Sequence, residues 1–135
     1  MIRDGLYSIK NMFQVDRYVA MAGEDNDYEV VGQDVPDTIK VLVVNKVLGL
    51  ATLFDPMQQK FIWIDDGSNR VVGRDVPQEL QLSTEDGENY VIHKQDIDSV
   101  CVLNKNGKGT PIVTEPAPPP GVEGYKRKYW KFLPN

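Results

Sequence analysis

Val30-Val31-Gly32-Gln33-Asp34-Val35-Pro36 returns as Val71-Val72-Gly73-Arg74-Asp75-Val76-Pro77, with six of seven residues unchanged. Collinear matches of residue class precede both copies. Gly5-Leu6-Tyr7-Ser8-Ile9 lines up with Gly49-Leu50-Ala51-Thr52-Leu53, Gln14 with Gln58, and Arg17 to Met21 with Lys60 to Ile64. Self-similarity at nearly fixed spacing implies one supersecondary unit used more than once, and two detectable copies are too few for a solenoid.

Each copy reads as a strand, a connection, a second strand, an acidic turn, the VVGxDVP phrase and a third strand. Glycine in the phrase permits a bulge or close approach, and proline holds the valine before it extended. The phrase is therefore expected to turn the chain between strands. Residues 34–49 carry helix-like caps, but Val41, Val43, Val44 and Val47 favour a strand there. Three further hairpins are expected: 51–54 with 60–64 around Asp55-Pro56, 80–84 with 89–94 around Glu85-Asp86-Gly87-Glu88, and 99–103 with 110–114.

The expected fold is mostly β: a compact sandwich or paired small SH3-like barrels built from an internal duplication, with a Pro-rich C-terminal arm. The expected body is 1–114, with copies at approximately 5–44 and 49–84 and the second extended by hairpins to 114. Glu115-Pro116-Ala117-Pro118-Pro119-Pro120-Gly121 opens a Pro/Gly-rich linker over 115–124, semi-rigid and unsuited to a central strand. The remaining segment, 125–135, is a basic-aromatic tail.

That tail is the expected partner-binding segment. Tyr125, Lys126, Arg127, Lys128, Tyr129, Trp130, Lys131 and Phe132 gather cations and aromatics, the residue types that anchor interfaces. Folding back onto the body competes with docking on a neighbouring subunit, and nucleic-acid stacking on Tyr129 or Trp130 is a third reading.

Catalytic and metal chemistry finds little support. His93 is the only histidine and Cys101 the only cysteine, so zinc fingers and intramolecular disulfides are excluded, and a thiol dyad would need these two residues to meet. The acidic runs at 24–27, 65–66 and 96–98 read as solvated turns, and Gly107-Lys108-Gly109-Thr110 lacks the spacing of a phosphate loop. No catalytic residue, metal or cofactor is assigned. A net charge of −5 argues against a whole-surface nucleic-acid binder.

The expected function is a non-catalytic protein-binding or assembly subunit, for example a small structural component of a larger particle such as a virion, with the C-terminal arm docking on a neighbour. The expected partner is another protein subunit, self or hetero. The alternatives are a nucleic-acid-associated protein and a small enzyme. No run reaches the roughly 18 apolar residues of a membrane span, so no membrane partner is expected and a cytoplasmic location, or a particle assembled there, is.

Overall fold

The computed structural model describes residues 2–135, whose regular elements are β-strands apart from two short 3-10 turns. The strands are β1 (Gly5–Asn11), β2 (Tyr18–Met21), β3 (Val30–Gln33), β4 (Ile39–Asn45), β5 (Leu50–Asp55), β6 (Lys60–Asp65) and β7 (Arg70–Arg74). They continue with β8 (Leu80–Ser83), β9 (Asn89–His93), β10 (Ser99–Val102), β11 (Thr110–Pro111), β12 (Val113–Pro116) and β13 (Trp130–Pro134).

Six strands close a barrel. Antiparallel pairing runs β1 to β4, β4 to β5, β5 to β8, β8 to β9, β9 to β13 and β13 back to β1, so the circuit has no free edge. The other strands form hairpins β2–β3, β6–β7 and β10–β12 that cover one end of the barrel. Three bridges tie these hairpins into a ring: Glu29 to Val72, Arg70 to Val113, and Pro111 to Val31. Counted from the duplicated phrase, they are the same bridge made three times.

The chain therefore contains three copies, at 5–45, 50–83 and 89–134, around a pseudo-threefold axis. Period-2 alternation sends one side of each strand inward, and equivalent residues meet near the axis in triads. Ile9, Leu53 and Ile92 form one triad, Val19, Ile62 and Cys101 a second, Val30, Val71 and Ile112 a third; all are buried and they enclose a void of only about 20 Å³. A fourth consists of Ile39, Leu80 and Trp130.

Gly32 and Gly73 hold equivalent places inside β3 and β7, opposite Val19 and Ile62. They are close-approach positions within strands, while the DVP that follows makes the turn. A Cβ at Gly73 would stand 2.6 Å from Met21 Sδ and 2.9 Å from the Cβ atoms of Lys60 and Tyr28; one at Gly32 would stand 2.6 Å from Leu103 Cδ2. The third equivalent residue is Thr114, opposite Cys101.

Several expectations need correction. A single closed barrel with a hairpin cap replaces the sandwich or paired SH3-like barrels. The hairpins around 55–56 and 84–88 form, but β10 pairs with 113–116, because Thr110 and Pro111 are taken by β3 to complete the ring of bridges. No projecting arm follows residue 114. The chain from Trp130 to Pro134 is a barrel strand between β1 and β9, and the Trp130 side chain is 0% exposed, with Nε1 donating to Cys101 O at 3.1 Å. Burying the largest apolar side chain outweighs any preference of its basic neighbours for solvent.

Candidate binding cleft

Repeats 1 and 2 cross from their hairpin to their last strand by five residues, 34–38 and 75–79. Repeat 3 uses thirteen, 117–129, ending in a 3-10 turn over Tyr125–Lys128. Gly124 enters that turn at φ +76, where a side chain would be strained and a Cβ would lie 2.9 Å from Arg127 Nη1. Arg127 O then accepts Leu103 N–H at 3.3 Å. In repeats 1 and 2 the equivalent acceptors are side chains: Asp37 Oδ2 takes Met21 N–H at 2.8 Å and Gln78 Oε1 takes Ile64 N–H at 2.7 Å. The longer connector thus performs the same anchoring with backbone and leaves its side chains free to build something else.

It builds a cleft of about 310 Å³ between the 3-10 turn, the β8–β9 turn and the β1–β2 loop, lined by Met12, Glu85, Asp86, Asn89, Tyr125, Lys126 and Tyr129. The Tyr125 and Tyr129 rings meet edge to face, centroids 6.4 Å apart at 84°. Asp86 is the polar hub. Its Oδ1 accepts the N–H groups of Glu88 and Asn89, both at 2.8 Å, and its Oδ2 accepts Asn89 Nδ2 at 2.9 Å. These bonds, the two backbone N–H groups foremost, hold its carboxyl at about 2, below the ordinary carboxylate range, so it is an anion at any physiological pH.

Asn89 Oδ1 is buried without a hydrogen-bond partner among the described residues. Burial foremost, then Glu85, Tyr125 and Asp86, push the Tyr129 phenol above its usual range, which keeps it neutral.

Three of the eight sequence-selected residues, Tyr125, Lys126 and Tyr129, line this cleft. Trp130 and Phe132 belong to the core, Phe132 packing edge-on against Tyr7 at 5.9 Å and Tyr90 at 5.5 Å. Arg127 pairs with Glu115 at 3.6 Å, Lys128 Nζ donates to Pro118 O at 3.1 Å, and Lys131 stands opposite Lys10 on the outer face of the barrel. Of the two rings named for base stacking, Trp130 is buried and Tyr129 lines the cleft. In the sequence Glu85 and Asp86 read as a hairpin turn and Asn89 as the start of its second strand, and no local signal joins them to Tyr125 and Tyr129.

Other candidate chemistry does not assemble. Cys101 is buried and its thiol is pushed up to about 12 by burial, while His93 binds Ser83 Oγ through Nε2 at 2.7 Å and Lys94 O through Nδ1 at 2.8 Å. Among the described residues no group of three or more His, Cys, Asp or Glu is placed to hold a metal, and no helix is long and apolar enough to cross a membrane.

A six-stranded barrel capped by three hairpins about a pseudo-threefold axis defines the β-trefoil class. Solved structures place the chain in that class over its whole length. It is similar to the Rhizoctonia solani agglutinin, with a TM-score of 0.79 and 16% identity over 100% of this chain and 98% of the other. The Macrolepiota procera ricin B-like lectin, solved in complex with lactose, gives 0.81 and 16% over 100% and 99%. A proteinase inhibitor from Coprinopsis cinerea gives 0.74 and 8% over 100% of both chains. No family model matches the sequence, and no curated protein matches it at a significant level. At these identities the likeness establishes the fold alone.

Proposed function

We propose that the protein is a non-catalytic binding protein that takes carbohydrate in the cleft between the 125–128 turn and the β8–β9 turn. The carrying observation is the combination, in one concavity, of two tyrosines and the ionised Asp86. A sugar ring has an apolar C–H face suited to stacking on tyrosine, and hydroxyls that donate to a carboxylate or an amide oxygen. The trefoil lectins above support the reading by fold alone.

A glycan array probed with the full chain and with Tyr129→Ala tests it. The expected result is selective glycan binding that falls at least tenfold in the variant with thermal stability little changed; an array without binders, or binding indifferent to the change, contradicts the reading.

Docking on a protein is the second reading, favoured by the likeness to the Coprinopsis cinerea inhibitor. Assembly of a particle such as a virion loses the free arm on which that expectation rested, since the arm is a barrel strand. If protein is the ligand, the Tyr125–Lys128 turn, half-buried but for the exposed Lys126, is the part of the sequence-selected segment still able to meet it.

A further inference from the structure

A second cleft, of about 440 Å³, opens at the end of the barrel away from the hairpins, between the β4–β5 turn and the β8–β9 turn. Its walls are Ile2, Val43, Val47, Leu48, Leu82 and Tyr90. The volume lies within the roughly 300–1,000 Å³ of small-molecule sites. Two of these walls are costly as they stand: Val47 is 95% exposed and Leu48 42%. Packing fixes the shape of the site. Gly49, at φ +68, lies so close to β8 that a Cβ would stand 3.0 Å from Leu82 O, and Leu82 N–H is bonded to Gly49 O at 2.9 Å.

The polar groups of this cleft are few and mostly spent. Ser83 Oγ is bonded to His93, and Thr84 Oγ1 serves Asp86 Oδ1 at 3.2 Å and Gly87 N–H at 2.9 Å. The exception is Lys46, the one charged residue lining the cleft, whose ammonium forms no ion pair among the described residues. No carboxylate lines the cleft. Asp4, in the adjoining groove, has Oδ1 occupied by Val43 N–H at 2.7 Å and Arg3 beside it in the chain.

We propose that this cleft binds a small amphiphilic anion, an aliphatic chain carrying a carboxylate, with the chain against Val43, Val47, Leu48 and Leu82 and the carboxylate on Lys46. Apolar walls supply affinity that grows with chain length, about three- to fourfold per methylene. The single unpaired cation on the rim supplies the sign of the selectivity. The site is separate from the tyrosine cleft and stands or falls independently of it.

Methyl-resolved NMR titration of the full chain with decanoate, octanoate and decylammonium, each below its aggregation concentration, is the test. Decanoate is expected to shift the Val47, Leu48 and Leu82 methyls saturably, to bind roughly tenfold more tightly than octanoate, and to exceed decylammonium by at least as much. Lys46→Glu, in an exposed turn, is expected to remove or reverse the preference for the anion. Unmoved methyls, equal binding of the two charges, or a selectivity unaltered by Lys46→Glu would overturn the proposal.

Discussion

Repeats 1 and 2 differ from repeat 3 in one connector, and that connector carries most of what distinguishes the surface of the molecule. The first two repeats close with the five residues of a DVP turn, whose Asp37 or Gln78 side chain caps the neighbouring hairpin. Repeat 3 delegates the cap to Arg127 O and uses the extra length to present Tyr125, Lys126 and Tyr129. Three cycles of one packing scheme hold the barrel; a break in the cycle makes the tyrosine cleft.

The largest effect expected from this comparison lies at the end of repeat 3. Because β13 is a staple between β1 and β9, a chain ending at residue 114 leaves two barrel strands with open edges and the Trp130 space empty. It is expected to show no cooperative unfolding transition by circular dichroism. The milder Trp130→Ala is expected to cost about 3–5 kcal/mol in denaturant unfolding. A folded 1–114 fragment would make the third repeat dispensable and break the threefold account.

A smaller effect separates repeats 1 and 2. At the end of β1, Asn11 Nδ2 donates to Arg127 O at 3.0 Å and Asn11 Oδ1 accepts the N–H groups of Phe13 and Gln14. The equivalent Asp55 accepts the N–H groups of Met57 and Gln58, but it has no amide to donate and is 0% exposed beside the Asp37 carboxylate. Burial, then Asp37, raise the Asp55 carboxyl to about 7.

The folded chain holds that proton up to about pH 7, whereas the unfolded chain releases it near pH 4, so stability falls as pH climbs between those values. Asp55→Asn, which copies repeat 1, is expected to abolish that slope and raise stability at pH 8 by at most about 4 kcal/mol, with little gain near pH 4. Parallel pH profiles of thermal unfolding for the two proteins would contradict this.

Legibility in the sequence followed the same division. The VVGxDVP phrase exposes repeats 1 and 2 because both need glycine against a neighbouring hairpin and proline at the turn. Repeat 3 carries the related Ile112-Val113-Thr114-Glu115-Pro116-Ala117-Pro118, but threonine replaces the glycine and the prolines read as a spacer. Its core residues Ile92, Cys101 and Ile112 match the triads by position, a relation visible only once the axis is known.

The basic-aromatic segment is unusual in composition, yet that composition does not separate buried from exposed residues. Alternation along β13 does, putting Trp130 and Phe132 inward and Lys131 outward. The cleft lay beyond reach because Asp86 and Asn89 meet Tyr125 and Tyr129 only through barrel closure.

The repeat 3 connector builds the tyrosine cleft on a scaffold whose other two repeats close without it. Replacing residues 116–129 by the five residues Asp75 to Glu79 of repeat 2 tests it directly, since the transplanted Gln78 side chain can take the Leu103 N–H that Arg127 O now holds. The account predicts a cooperatively folded protein within a few degrees of the parent's melting temperature and without glycan binding. A protein that keeps its glycan binding, or one that no longer folds, would contradict it.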